Sequence, residues 1–165
     1  MIFCKGGMLV LKYVAIKHKP EDKIAYWFVV PEGLKSEVCL GAEVLCLTRY
    51  GKASGKVDSI IELEHMPEKD INKLIGDLPD LPMLKPILAV RKDFPIQEIK
   101  IPEEFSASRP ALKKLFKRIK EFYRTGGFET PVIVSADGTL KDGYTAYIAA
   151  RIYGLETLRG LCVAD

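Results

Sequence analysis

The chain has 165 residues, a hydrophobic fraction of 48% and a formal net charge of +3. That length builds one ordinary domain or two small ones, and the apolar content excludes wholesale disorder. The mild charge does not by itself imply an anionic partner, so the placement of basic residues carries more information than their sum. The longest apolar runs, near residues 8–11 and 25–30, fall far short of the roughly 18 residues a bilayer span requires. Lys5 is followed by no sustained apolar stretch. Neither a membrane span nor a signal peptide is expected, and the location is expected to be cytoplasmic. Cys4, Cys39, Cys46 and Cys162 form no C-x-x-C pair, and His18 and His65 are remote from one another. The cysteines read as small buried hydrophobes in a reducing compartment, and no metal site is expected.

In chain order, residues 8–16 are apolar and β-branched, and residues 24–30 repeat that character after a turn at Pro20. Residues 41–48 read as a third strand and residues 55–63 as a fourth, with a turn at Tyr50-Gly51-Lys52. Short strands at near-regular spacing, closed by glycine turns, predict a small β-barrel or curled sheet over residues 1–66. The segment 41–52, with Ser54-Gly55-Lys56-Val57, resembles small barrels of nucleic-acid proteins. Tyr50, Lys52 and Lys56 could stack on or pair with a strand there, and a plain β-turn explains them equally well.

Residues 67–94 read as a linker with a short helix. Pro67 and the acids after it suit a helix start, and Gly76 is expected to end it. Pro79, Pro82 and Pro86 keep the next stretch extended. Residues 87–90 read as a strand.

Residues 95–165 read as an α/β domain, which makes the whole chain α+β. Residues 95–101 alternate as a strand does. Ser106 or Ser108 is expected to cap a helix that has Pro110 just inside its start. Its predicted apolar face is Leu112, Leu115, Phe116, Ile119 and Phe122, and Gly126-Gly127 stops it. A strand at 131–134, a tight turn at Asp137-Gly138 and a return at 139–141 follow. Asp142-Gly143 then breaks into an alanine-rich helix over 144–153, closed by Gly154. Residues 157–163 read as the last strand.

Two features in this half carry chemistry. The helix beginning after Asp142-Gly143 exposes unpaired amides at its positive end, and Thr145 adds a hydroxyl. That turn either holds a phosphate through Asp142, Gly143, Tyr144, Thr145 and Ala146, or is capped by Asp142 and binds nothing. The preceding helix is strongly basic. Arg109, Lys113, Lys114, Lys117, Arg118, Lys120 and Arg124 stand against one acid, Glu121. Lys114 and Arg118 share a face, and such a helix either neutralises phosphates or is a solvated surface.

Residues 129–134, Asp137-Gly138 and the run from Lys141 through Asp142-Gly143-Tyr144-Thr145 to Gly154 and Thr157 resemble the ParB/sulfiredoxin superfamily, over about 70 residues. The resemblance implies a nucleotide- or DNA-phosphate-binding protein with an accessory or regulatory role. It places the phosphate at Gly143, Tyr144, Thr145 and Ala146, with Lys114 and Arg118 upstream. ATP, ADP or CTP with magnesium are the implied ligands, and a nucleotide or nucleic acid the implied partner. Arg109, Lys113, Lys117, Lys120 and Arg124 are candidate nucleic-acid contacts. Partition proteins place His-Arg or Arg-Arg after the Asp-Gly, where this chain has Tyr144-Thr145-Ala146. Sulfiredoxin carries its nucleophilic cysteine in this turn, and none of the four cysteines lies near it, so peroxiredoxin repair is not expected. A long helix-turn-helix reader is also missing before Asp165, so sequence-specific partition by this chain alone is not expected. An enzyme of the superfamily, a phosphotransferase or nuclease using Asp142, Glu129 or Asp137, is the alternative. A protein-interaction domain with an inert turn is the third reading.

Overall fold

The computed structural model describes residues 12–63, 66–77 and 84–165. Cys4, His65, Pro79, Pro82 and the first part of the predicted strand 8–16 lie outside them. The fold is mixed α/β, and the chain divides into two compact units, Met1–Val90 and Arg91–Asp165.

In the first unit, β1 (Lys12–Lys17), β2 (Tyr26–Val30), β3 (Glu43–Thr48) and β4 (Gly51–Glu62) form an antiparallel sheet in the order β2-β1-β4-β3. A register shift between Ala15 and Ile16 bends the β1–β4 pair, as a bulge does. The chain returns to β2 at Pro86, which bridges Val29 in parallel, and the Val29 N–H donates to Lys85 O at 3.1 Å. Val14, Ile16, Phe28, Val44, Cys46 and Val57 are buried. The helix α1 (Glu68–Asp77) runs through Gly76 and does not end there. Glycine lowers helix propensity by only about 1 kcal/mol, which does not force a stop.

The strand β5 (Ile87–Pro95) is longer than the predicted 87–90. Residues 95–101 do not form the expected strand. Ile96–Glu98 is a 3-10 turn, with Ile96 and Ile99 buried. Residues three apart eclipse in that helix, so alternating apolar residues can face the core without a strand. Lys100 bridges Thr139. The short helix α2 (Glu103–Ser106) follows. Ser106 and Ser108 do not cap the next helix. Their hydroxyls donate back to the carbonyls of Glu103 and Glu104, at 3.1 and 2.9 Å. The helix α3 (Leu112–Thr125) instead starts after Ala111 without a side-chain cap, and Gly126 ends it at φ 74°.

The strands β6 (Val132–Ser135), β7 (Leu140–Asp142) and β8 (Thr157–Val163) form a sheet in the order β8-β6-β7. β6 and β7 are an antiparallel hairpin around Gly138, at φ 89°, whereas β6 and β8 are parallel. The helix α4 (Tyr144–Ile152) makes the crossover and buries Ala146, Ala149 and Ala150. Small side chains let the helix approach the sheet closely, which explains its alanine content.

Candidate functional site

The turn from β7 into α4 is built around Gly143. Its φ is 91°, a left-handed conformation that L side chains avoid. A Cβ there would lie 2.8 Å from Val132 Cγ1 and 3.0 Å from Val132 Cα. The direction an L side chain would take at Gly143 is therefore filled by β6. The glycine permits both the turn and the close packing on β6.

Asp142 is exposed, and its Oδ1 accepts the Gly143 N–H at 2.7 Å. Among the described residues it makes no hydrogen bond to a later amide of α4, whose N-cap position is Gly143 and has no side chain. The first internal bond of the helix is Tyr147 N–H to Gly143 O, at 3.0 Å. Among the described residues, no acceptor meets the N–H groups of Tyr144, Thr145 or Ala146. Capping by Asp142, the inert alternative, is thus limited to the amide just before the helix. Gly143, Tyr144 and Thr145 are half-buried and Ala146 is buried. The Tyr144 ring packs at 5.4 Å from Phe105 and 6.2 Å from Tyr147. An open cleft of about 560 Å³ lies between α2 and β7, walled by Glu104, Phe105, Ser108, Thr139 and Lys141, and none of residues 142–146 lines it.

The basic helix has a less simple role than its composition implies. Glu121 is 5% exposed, and its carboxylate accepts from Arg118 Nη1 at 2.8 Å and from the Glu129 N–H. Burial pushes the Glu121 carboxyl up, but the Glu129 amide and the Arg118 guanidinium outweigh it, and the group stays below the ordinary range. Arg118 is therefore engaged by Glu121. Lys113, Lys114, Lys117, Lys120 and Arg124 are exposed, and Arg124 lies 4.0 Å from Glu129. Arg109 is exposed ahead of the helix. The predicted apolar face is only partly covered. Leu112 and Phe116 are 69% and 58% exposed, while Ile119 and Phe122 meet Tyr153. Those contacts are at the C-terminal end of α4, away from Asp142-Gly143. No hydrogen bond or ion pair joins Lys114 or Arg118 to the turn among the described residues.

The carboxylates considered for catalysis have structural partners. Asp137 accepts from Ser135 Oγ at 2.5 Å and from the Thr139 N–H and Oγ1 at 2.9 and 3.0 Å. Those donors, Ser135 first, hold its carboxyl down to about 2. Among the described residues, no group of three or more His, Cys, Asp or Glu could hold a metal ion. Cys46 and Cys162 are buried as expected, but Cys39 is exposed, because it sits in the loop before β3. No helix among the described residues is long and apolar enough to cross a membrane. Sequence reasoning missed the Glu121 lock. The lone acid in a basic run was its signal.

No protein-family model and no curated protein matches the chain. Among solved structures the chain is similar to two of the pNOB8-like ParB N-domain, at 19% and 22% identity with TM-scores of 0.42 and 0.41. Each likeness covers 47% of this chain, and 30% and 28% of those chains, so this chain spans under a third of their length. It is also similar to sulfiredoxin from Arabidopsis thaliana, at 24% identity and a TM-score of 0.37, over 46% of this chain and 83% of that one.

Proposed function

We propose that the chain is a ParB-like phosphate-binding accessory or regulatory protein, with a small curled β unit ahead of a ParB/sulfiredoxin-like unit. A nucleotide or nucleic-acid phosphate sits at the start of α4. The observation that carries the reading is the helix start itself, where, among the described residues, no acceptor meets three successive amides, Tyr144 to Ala146. Such amides and the helix dipole together favour an anion. The Thr145 hydroxyl adds a donor, and Lys141 is an exposed cation one residue before Asp142. The exposed lysines of α3 supply a diffuse positive field that steers polyanions. ATP, ADP and CTP with magnesium are the ligands to try, in a cytoplasmic setting.

The test is a thermal-shift series with each nucleotide and a short duplex, with and without magnesium. A rise at saturating nucleotide, by linkage about 2.7 kcal/mol at a hundredfold excess over Kd, supports the reading. Thr145→Val should reduce that rise. A melting temperature unchanged by every ligand would refute it. Hydrolysis of the nucleotide or phosphate transfer in the same samples would move the assignment to an enzyme.

A further inference from the structure

The first unit carries an aromatic cleft that the α4 site does not use. It has a volume of about 830 Å³ and is walled by Tyr26, Trp27, Leu47, Arg49, Tyr50 and Lys85, with His18 beside Tyr26. Its rings are unusually open. Tyr50 is 84% exposed and Tyr26 54%, and the aliphatic Leu47 in the same wall is 40% exposed. Tyr50 stands at the tip of the β3–β4 turn, which Thr48 Oγ1 fixes by donating to Gly51 O at 2.9 Å. The Arg49 guanidinium lies over the Tyr50 ring, 4.7 Å from its centre. The cleft's cations, Arg49 and Lys85, are both exposed. Its acid, Asp22, already accepts the Lys19 N–H at 2.9 Å.

Exposed aromatic surface of this kind costs solubility and is seldom kept without a partner. Flat rings with guanidinium and ammonium groups at the rim match one chemistry best. Unpaired bases stack on the rings while the cations meet the phosphates between them. An acidic peptide would satisfy the rim but leave Tyr26, Trp27 and Tyr50 without stacking partners. A duplex would keep its bases from the rings. We infer that this cleft binds single-stranded nucleic acid by stacking unpaired bases on Tyr50, Trp27 and Tyr26, with Arg49 and Lys85 on the backbone.

Trp27 is the one tryptophan of the chain, so its emission reports on this cleft alone. The intact protein is titrated with thymidylate and uridylate strands of about 12 nucleotides, a length one small β unit can cover. An abasic strand of equal length and a proline-rich peptide serve as comparisons. Saturable quenching by either base-bearing strand, absent with the abasic strand, is the expected result, and the ratio of the two tells DNA from RNA. Tyr50→Ala removes an exposed ring and should weaken binding by roughly 5- to 150-fold. Arg49→Ala should weaken it too, while Asn72→Ala, an exposed position on α1 outside both sites, should leave it unchanged. Equal quenching by the abasic strand, quenching by the peptide alone, or a Tyr50→Ala protein that binds as tightly as the parent would each overturn the inference.

Discussion

Gly143 is the position at which a small change should do most damage to the second unit. In Gly143→Ala the backbone must hold an L residue at φ 91°, which costs about 1–2 kcal/mol. The new Cβ would also stand 2.8 Å from Val132 Cγ1 and 3.0 Å from Val132 Cα. The methyl can move aside but the Cα belongs to β6, so relief requires shifting a strand, at about 1–3 kcal/mol. The sum, roughly 2–5 kcal/mol, is a large share of the 5–15 kcal/mol that stabilises an ordinary domain. Gly154→Ala is the control, because that glycine is also left-handed, at φ 67°, but has nothing within 4 Å of the added atom. It should lose only the conformational part, about 1–2 kcal/mol. Urea unfolding followed by circular dichroism gives both values. Equal losses at the two positions would show that packing on Val132 is immaterial and would refute the reasoning.

Four further outcomes follow from other contacts in the structure. Arg118→Ala should cost about 1.5–3 kcal/mol in urea melts, since it removes a charged hydrogen bond from a nearly buried carboxylate; a loss below about 0.5 kcal/mol would mean that Glu121 needs no cation. The folded Glu121 carboxyl lies below its ordinary value of 4.5, so its contribution is present above that pH and disappears as pH falls through the lowered folded value. Glu121→Gln should flatten that acid limb of the stability curve. Carbon NMR should show Asp137 titrating at about 2, and Ser135→Ala should bring it back toward 3.8. In the native protein Cys39 should alkylate well before Cys46 and Cys162, because the first is exposed and burial pushes the Cys46 thiol up to about 11. Mass spectrometry of the tryptic peptides reads the order.

The region from β6 to β8 was legible in the sequence because its turns announce themselves locally. Asp137-Gly138 and Asp142-Gly143 each need a glycine at positive φ, and the run of alanines between Asp142 and Gly154 fits only a helix pressed on a sheet. The features that misled are ones decided at a distance. Helical spacing in α3 identified an apolar stripe but not what would cover it, and tertiary packing buried Glu121 while leaving Leu112 and Phe116 open. The alternation at 95–101 fitted a strand and a 3-10 turn equally, and the bridge from Lys100 to Thr139 is not visible from residue types. Ser106 and Ser108 had the chemistry of caps, but α2 ends beside them and takes their hydroxyls first. At the site itself, the sequence pointed to the amides after Gly143. It could not show that Asp142 stops at the Gly143 N–H, nor that the glycine's bare face is turned toward Val132.

The most direct measurement is an amide NMR titration of the labelled protein with inorganic phosphate and then with ATP. Saturable shifts concentrated on the N–H signals of Tyr144, Thr145 and Ala146 are what the uncapped start of α4 predicts. Shifts confined to the lysines of α3, with those three amides unmoved, would contradict it.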